Sequence, residues 1–328
     1  MKKELSAEAI QHLARGFSRS RVLLTGVELD LFTLLAGEPL SAAEVTSRLA
    51  LDLRATTILL DALGAMGLLE KRDGLYATHP EVAGLLTEGS GESVLPGLRH
   101  SAHLWHTWSQ LTDIVRKGGP ARRPEAGGDE RTEAFIGAMH VRALRDAPSV
   151  VEAVSPGPAR ALIDVGGGSG SYTIAFLRAV PGMRATLFDL PEVVEMARRR
   201  MEEEGLADRV TLAAGDYHED ELPPGHDLAF LSAIIHQNSH EENTALYRKV
   251  HGALTTGGRV VVRDYVMEPE RTGPASGALF AVNMLVNTRG GNSYTFEEIR
   301  EGLQAAGFRE VRQIRDAEMS SMVQAYKR

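Results

Sequence analysis

ALIDVGGGSGSYTIAFLRAV, residues 161–180, decides the fold. Its first five residues are apolar apart from one acid, and its last ten place apolar side chains at helical spacing. Between them Gly166, Gly168 and Gly170 stand at alternate positions. Strand, tight glycine loop and helix follow one another, and such a loop lets a ligand approach the main chain closely. Downstream, RATLFDL, RVTLAAGD, HDLAFLSAII and GRVVVRDYVM read as strands, with PEVVEMARRRMEEEG and other helical stretches between them. Strands alternating with helices predict an α/β fold, a mostly parallel sheet covered on both faces, over residues 158–328.

Upstream the pattern changes. Residues 1–100 read as short helices. Leu31, Leu34 and Leu35 form a stripe that ends near Gly37, Ser41 and Glu44 form a capping box, and a helix from Leu53 to Met66 stops at Gly67. LLEKRDGLYAT then offers two short strands around Asp73-Gly74, a hairpin signal. The order is that of a winged helix. As a DNA reader the third helix is poor, with Arg54 as its one basic side chain. A packing or dimerisation role is expected instead. Val22, Leu23, Leu24, Leu29, Leu31, Phe32, Leu34 and Leu35 carry more apolar periodicity than so small a unit buries, which predicts a two-fold homodimer. Residues 101–157 form a helical connector. Its segment HSAHLWHTWSQL holds Trp105, Trp108, His100, His103 and His106 and reads as an amphipathic helix. No further ligand follows at metal spacing, so no metal site is expected.

Composition narrows the function. The net charge of −8 disfavours nucleic acid and anionic membrane as partners. The absence of cysteine excludes disulfides, thiolate metal sites and a cysteine nucleophile. No apolar run approaches the ~18 residues of a membrane span. The stretch MKKELSAEAIQHLARGF lacks a signal core, so a cytoplasmic protein is expected.

Three features identify the ligand of the glycine loop. The spacing is G-x-G-x-G rather than the dinucleotide G-x-G-x-x-G. Asp164 precedes the loop, where a carboxylate repels pyrophosphate and suits a cation. Asp189 ends the next strand, 19 residues after Gly170, where an acid takes ribose hydroxyls. Gly215-Asp216-Tyr217 then ends the third strand, with an acceptor for an adenine amino group and a ring for the base. S-adenosylmethionine has a sulfonium, an amino acid, a ribose and an adenine and lacks phosphate, which matches each feature. A nicotinamide oxidoreductase fits worse.

DVGGGSG, FDLP at 188–191, AGDY, the His236 region and GGNSYTFEEI, in that order, resemble the S-adenosylmethionine-dependent O-methyltransferases of small molecules. These include plant phenylpropanoid and flavonoid enzymes, the acetylserotonin type and bacterial antibiotic-tailoring enzymes. The resemblance spans nearly the whole chain, and residues 1–100 resemble that family's winged-helix dimerisation domain. It implies that His236, after the fourth strand, is the general base and that Asp264 orients it. It also implies that Leu190 beside Asp189, and Ser232 in place of a family lysine, face the cofactor. GALFAVNMLVN, residues 277–287, is expected as a helix lining the acceptor pocket with Asn283, Met284 and Asn287. Phe135, Met139, His140 and Trp105 are expected to face the acceptor, and His240 to lie solvated in a loop. The chain departs from the plant pattern at Gln237 and Asn238, which replace an aspartate and a tryptophan, and at Ser293, which replaces a second orienting glutamate. Carbon or nitrogen as acceptor atom, and a winged-helix regulator sensing the same cofactor, remain open alternatives.

Overall fold

The structure, a computed structural model, describes residues 6–119, 136, 143 and 146–328. The chain divides into two compact units. The first contains Met1–His106 with Glu133–Ala138, and the second contains Thr107–Thr132 with Met139–Arg328.

The first unit is built around Val27, Leu31, Phe32, Leu35, Leu40, Val45, Leu60, Leu63, Leu69 and Tyr76, all buried. Helix Leu31–Gly37 buries Leu31, Phe32 and Leu35. Ser41 and Glu44 close a reciprocal capping box on helix Ala42–Leu49, and Asp52 caps helix Leu53–Ala65 through the Ala55 amide at 2.8 Å. Strands β1 (Leu40–Ser41), β2 (Leu69–Arg72) and β3 (Leu75–Thr78) form a sheet of order β1-β3-β2. The β2–β3 turn places Asp73 at φ 50° and Gly74 at φ 80°, as a two-residue hairpin requires.

One sequence expectation changes here. Leu24, Leu31, Phe32 and Leu35 are buried inside the unit, and Val22, Leu23, Leu29 and Leu34 are packed against its core. Ile10, Leu13 and Phe17 stay 54%, 79% and 60% exposed instead, as do Leu53 and Ile58 at 51% and 55%. Helix Ala7–Arg15 buries none of its residues.

The second unit contains seven strands: β4 (Ala161–Val165), β5 (Arg184–Asp189), β6 (Val210–Ala214), β7 (His226–Ser232), β8 (Leu254–Asp264), β11 (Arg309–Arg315) and β12 (Ser321–Tyr326). Their order is β11-β12-β8-β7-β4-β5-β6. The pairs from β8 to β6 are parallel, and β12 runs antiparallel to both of its neighbours. The chain starts at β4, builds outward to β6, and returns to β7 on the other side of β4. The β4/β7 boundary is thus a topological switch point, where open α/β sheets bind ligands beyond the carboxyl ends of their strands. Alternate residues feed two cores. Val260 and Val262 of β8 enter one, with helices His240–Ala253 and Phe296–Ala305, and Val261 enters the other, with helices Ser171–Ala179 and Pro191–Glu203. Strands β9 (Val266–Met267) and β10 (Tyr294–Thr295) pair in parallel and bring the GGNSYTFEEI segment beside the end of β8.

Candidate active site

The glycine loop follows β4 with Gly166, Gly168 and Gly170 at φ 68°, 56° and 78°, a region favouring glycine. A Cβ on Gly170 would stand 2.1 Å from Met201 Cε, whereas one on Gly168 would meet nothing within 4 Å. The loop is therefore packed at its end and open at its middle. The Gly168 amide donates to Asp189 Oδ2 at 2.7 Å, and the Leu190 amide donates to Asp189 Oδ1 at 2.8 Å. Each carboxylate oxygen keeps a lone pair. Burial pushes the half-buried Asp189 carboxyl up, against the lowering effect of those two amides. Leu190, 40% exposed, caps helix Pro191–Glu203 and presents apolar surface beside the acid.

Asp164 is buried and accepts from Thr173 Oγ1 at 2.6 Å. Its carboxyl is pushed up to about 7, first by burial and then by the nearby Asp189 charge, while the Thr173 hydrogen bonds pull the other way. Beyond β6, Asp216 Oδ1 accepts from the His218 amide at 2.8 Å, and the Asp216 amide donates to Asp220 Oδ2 at 2.8 Å. Tyr217 Oη reaches Asn238 Oδ1 at 3.4 Å.

His236 rides on a single 3-10 turn, Ile235–Gln237, after β7. Ala233, at φ 60°, makes the sharp exit from the strand, and its amide donates to the Arg263 carbonyl at 2.9 Å. Nδ1 of His236 lies 2.9 and 2.8 Å from the two oxygens of Asp264, and both residues are buried. Asp264 Oδ1 also accepts from the Tyr265 amide at 2.8 Å. A carboxylate only accepts, which assigns a ring hydrogen to Nδ1, so that in the neutral ring Nε2 keeps its lone pair. The turn is held from the other side as well: the Asn292 amide donates to the His236 carbonyl at 2.9 Å. A Cβ on Gly291 would stand 2.4 Å from that same oxygen.

Other residues fall in and around this constellation. Ser232, at the end of β7, accepts from Arg263 at 3.1 Å. Helix Ala275–Asn287 forms as expected, but its two asparagines are engaged: Trp108 Nε1 donates to Asn283 Oδ1 at 2.9 Å, and Thr107 Oγ1 donates to Asn287 Oδ1 at 2.9 Å. Met284 is buried. Trp105 lies in the first unit against Phe17 and Arg21. Phe135, Met139 and His140 lie outside the described residues. His240 is not in a loop, because Ser239 and Glu242 form a capping box that makes it the first residue of helix His240–Ala253. It is half-buried, 6.5 Å from the Tyr294 ring.

The sequence reading gave no site role to three neighbours. Phe280 meets the His236 ring at 4.7 Å and 87°. Its place in GALFAVNMLVN, three residues before Asn283, was the available signal. Arg263 is a buried cation that bonds Asp146 and Ser320 as well as Ser232. Asn238 is buried and bonds Asn243 at 3.1 Å, and its carbonyl accepts from Tyr294 Oη.

A parallel sheet of this order, with a glycine loop after its first strand and an acid ending its second, defines the protein as a class I methyltransferase. Residues 108–309 match the O-methyltransferase domain and residues 11–88 match the O-methyltransferase dimerisation domain, and the chain belongs to that family. It is an S-adenosylmethionine-dependent O-methyltransferase. It is 34% identical over 315 residues to the 3-hydroxy-5-methyl-1-naphthoate 3-O-methyltransferase of Streptomyces sahachiroi, covering 93% of this chain and 90% of that one. It is equally 34% identical over 313 residues to the tetracenomycin polyketide synthesis 8-O-methyl transferase TcmO of Streptomyces glaucescens, covering 92% and 91%. Among solved structures, PigF with S-adenosylhomocysteine superposes with a TM-score of 0.87 at 27% identity, covering 98% and 100%. No described helix is long and apolar enough to cross a membrane.

Proposed function

We propose that the protein is a cytoplasmic, homodimeric enzyme that methylates a hydroxyl of a small aromatic or polycyclic metabolite, with His236 as general base. The observation that carries this reading is the buried His236–Asp264 pair at the carboxyl edge of β7 and β8, with distances of 2.9 and 2.8 Å. Asp264 holds Nδ1 and so aims Nε2, and Nε2 takes the proton from the acceptor hydroxyl. The positive charge that develops on the ring is offset by the same carboxylate.

The residues around the glycine loop fit S-adenosylmethionine. Gly168 leaves room over its main chain, Asp189 keeps a lone pair on each oxygen for two ribose hydroxyls, and the buried Asp164 gains from a cationic amino acid. Asp216 accepts the adenine amino group, and Leu190 and Tyr217 pack on the base. Gly166, Gly170 and Ser232 complete the cradle. When bound, the cofactor supplies an activated methyl group, and the chain supplies alignment, water exclusion and the base.

The acceptor lies along helix Ala275–Asn287, beside Phe280, Asn283, Met284 and Asn287. Two supports favour a fused aromatic acceptor: the Phe280 ring set against the base, and relatives whose names specify a hydroxynaphthoate and a tetracenomycin precursor. A screen of hydroxylated naphthoates, anthraquinones and indoles with methyl-labelled cofactor tests the reading. Label on an acceptor oxygen is expected, and label confined to carbon or nitrogen overturns it.

A further inference from the structure

Lys249 lies on helix His240–Ala253, and nothing in the sequence singles it out. Its ammonium donates to three main-chain carbonyls: Tyr217 at 3.0 Å, His218 at 2.9 Å and Asp220 at 2.9 Å. An ammonium has three hydrogens, and all three are committed to one short loop. That loop is folded tightly on itself. The Asp220 amide donates to the Asp216 carbonyl at 2.7 Å and the Glu219 amide to the same oxygen at 3.0 Å. The loop also carries Asp216, Glu219, Asp220 and Glu221, whose like charges favour spreading it. A cation bonded to its carbonyls opposes that spread and fixes where the Asp216 carboxyl points.

We propose that Lys249 is a positioning residue for base recognition: by clamping residues 217–220 it holds Asp216 at the one place where its carboxylate meets an adenine amino group. It touches neither the cofactor nor the reacting atoms. The proposal rests on the assignment of Asp216 to the adenine, so both are tested together.

The experiment is calorimetric titration with two ligands: S-adenosylhomocysteine, and its purine analogue lacking the exocyclic amino group. The wild type is expected to prefer the amino ligand by ~10–100-fold, the worth of a hydrogen bond to a charged group. Asp216→Ala removes the acceptor, so its preference collapses. In Lys249→Met the carboxylate remains but is no longer held, and the preference falls at least about fivefold. Lys249→Gln, which keeps two donors, gives an intermediate ratio and serves if the methionine variant does not fold. A merely structural lysine weakens both ligands by the same factor. That result in Lys249→Met, alongside a collapsed ratio in Asp216→Ala, overturns the proposal while sparing the Asp216 assignment. An intact ratio in Asp216→Ala overturns both.

Discussion

At Asp164 the chain puts a carboxyl where its charge is opposed. The residue is 1% exposed, Asp189 is close by, and its carboxyl is pushed up to about 7. A raised carboxyl takes up a proton on folding. Its contribution to stability is therefore fully present below the ordinary carboxylate range and is lost as pH rises toward about 7. A cationic ligand reverses the balance, because the ammonium of the cofactor's amino acid favours the ionised carboxyl and binding expels the proton. Affinity for S-adenosylhomocysteine is thus expected to rise between about pH 5 and pH 7, by up to about tenfold per unit, and then to level off. In Asp164→Asn the curve should be flat over that range. Calorimetry across pH checks this, and parallel curves for the two proteins contradict it. The local geometry of the candidate site was legible in the sequence where a short motif sets a fixed local frame, as with the glycine loop, FDLP and AGDY. Arg263 was not, because its partners Asp146 and Ser320 lie 117 and 57 residues away. Nor does helical spacing tell whether Trp105 or Trp108 meets Asn283, which is 175 residues from Trp108.

Elements whose signals are local were read well. The Ser41–Glu44 box, the Asp73-Gly74 hairpin and helix Ala275–Asn287 each depend on residues within a few positions of one another. His240 was misplaced for want of the same test, since Ser239 and Glu242 carry the capping-box spacing. The GGNSYTFEEI segment had no visible reason in the sequence. In the structure it is a brace: Gly291 lies against the His236 carbonyl, Asn292 donates to it, and Tyr294 pairs with Val266 after β8. A side chain at Gly291 meets a backbone oxygen at 2.4 Å, so the His236 turn must move. Gly291→Ala is therefore expected to lower turnover by ~10–100-fold, the effect of misplacing a catalytic group by an ångström. Affinity for S-adenosylhomocysteine should fall far less, because the acids proposed to bind it, Asp189 at the end of β5 and Asp216 beyond β6, lie away from this turn. Steady-state kinetics and calorimetry on the variant check this. A variant that turns over normally removes the bracing role.

Across the whole molecule, Ile10, Leu13 and Phe17, spaced three and four apart in the first helices, are among the large apolar side chains left exposed. Residues 11–88 match the dimerisation domain, and Leu13 and Phe17 within them are the side chains we propose to meet a second copy. Light scattering at micromolar concentration should give twice the chain mass of 35.5 kDa, and Leu13→Glu with Phe17→Glu should shift it toward the monomer. A wild-type monomer contradicts the dimer. The proposed mechanism draws on the whole second unit: the ligand beyond β4 to β6, His236 as base after β7, and Asp264 at the end of β8. The most direct test of the account is His236→Ala assayed with its true acceptor and saturating cofactor. Cofactor affinity should stay near that of the wild type while turnover falls by ~10²–10⁴, and the loss should shrink for acceptors whose hydroxyl is already ionised. Turnover within a few-fold of wild type would contradict the assignment of His236 as the base.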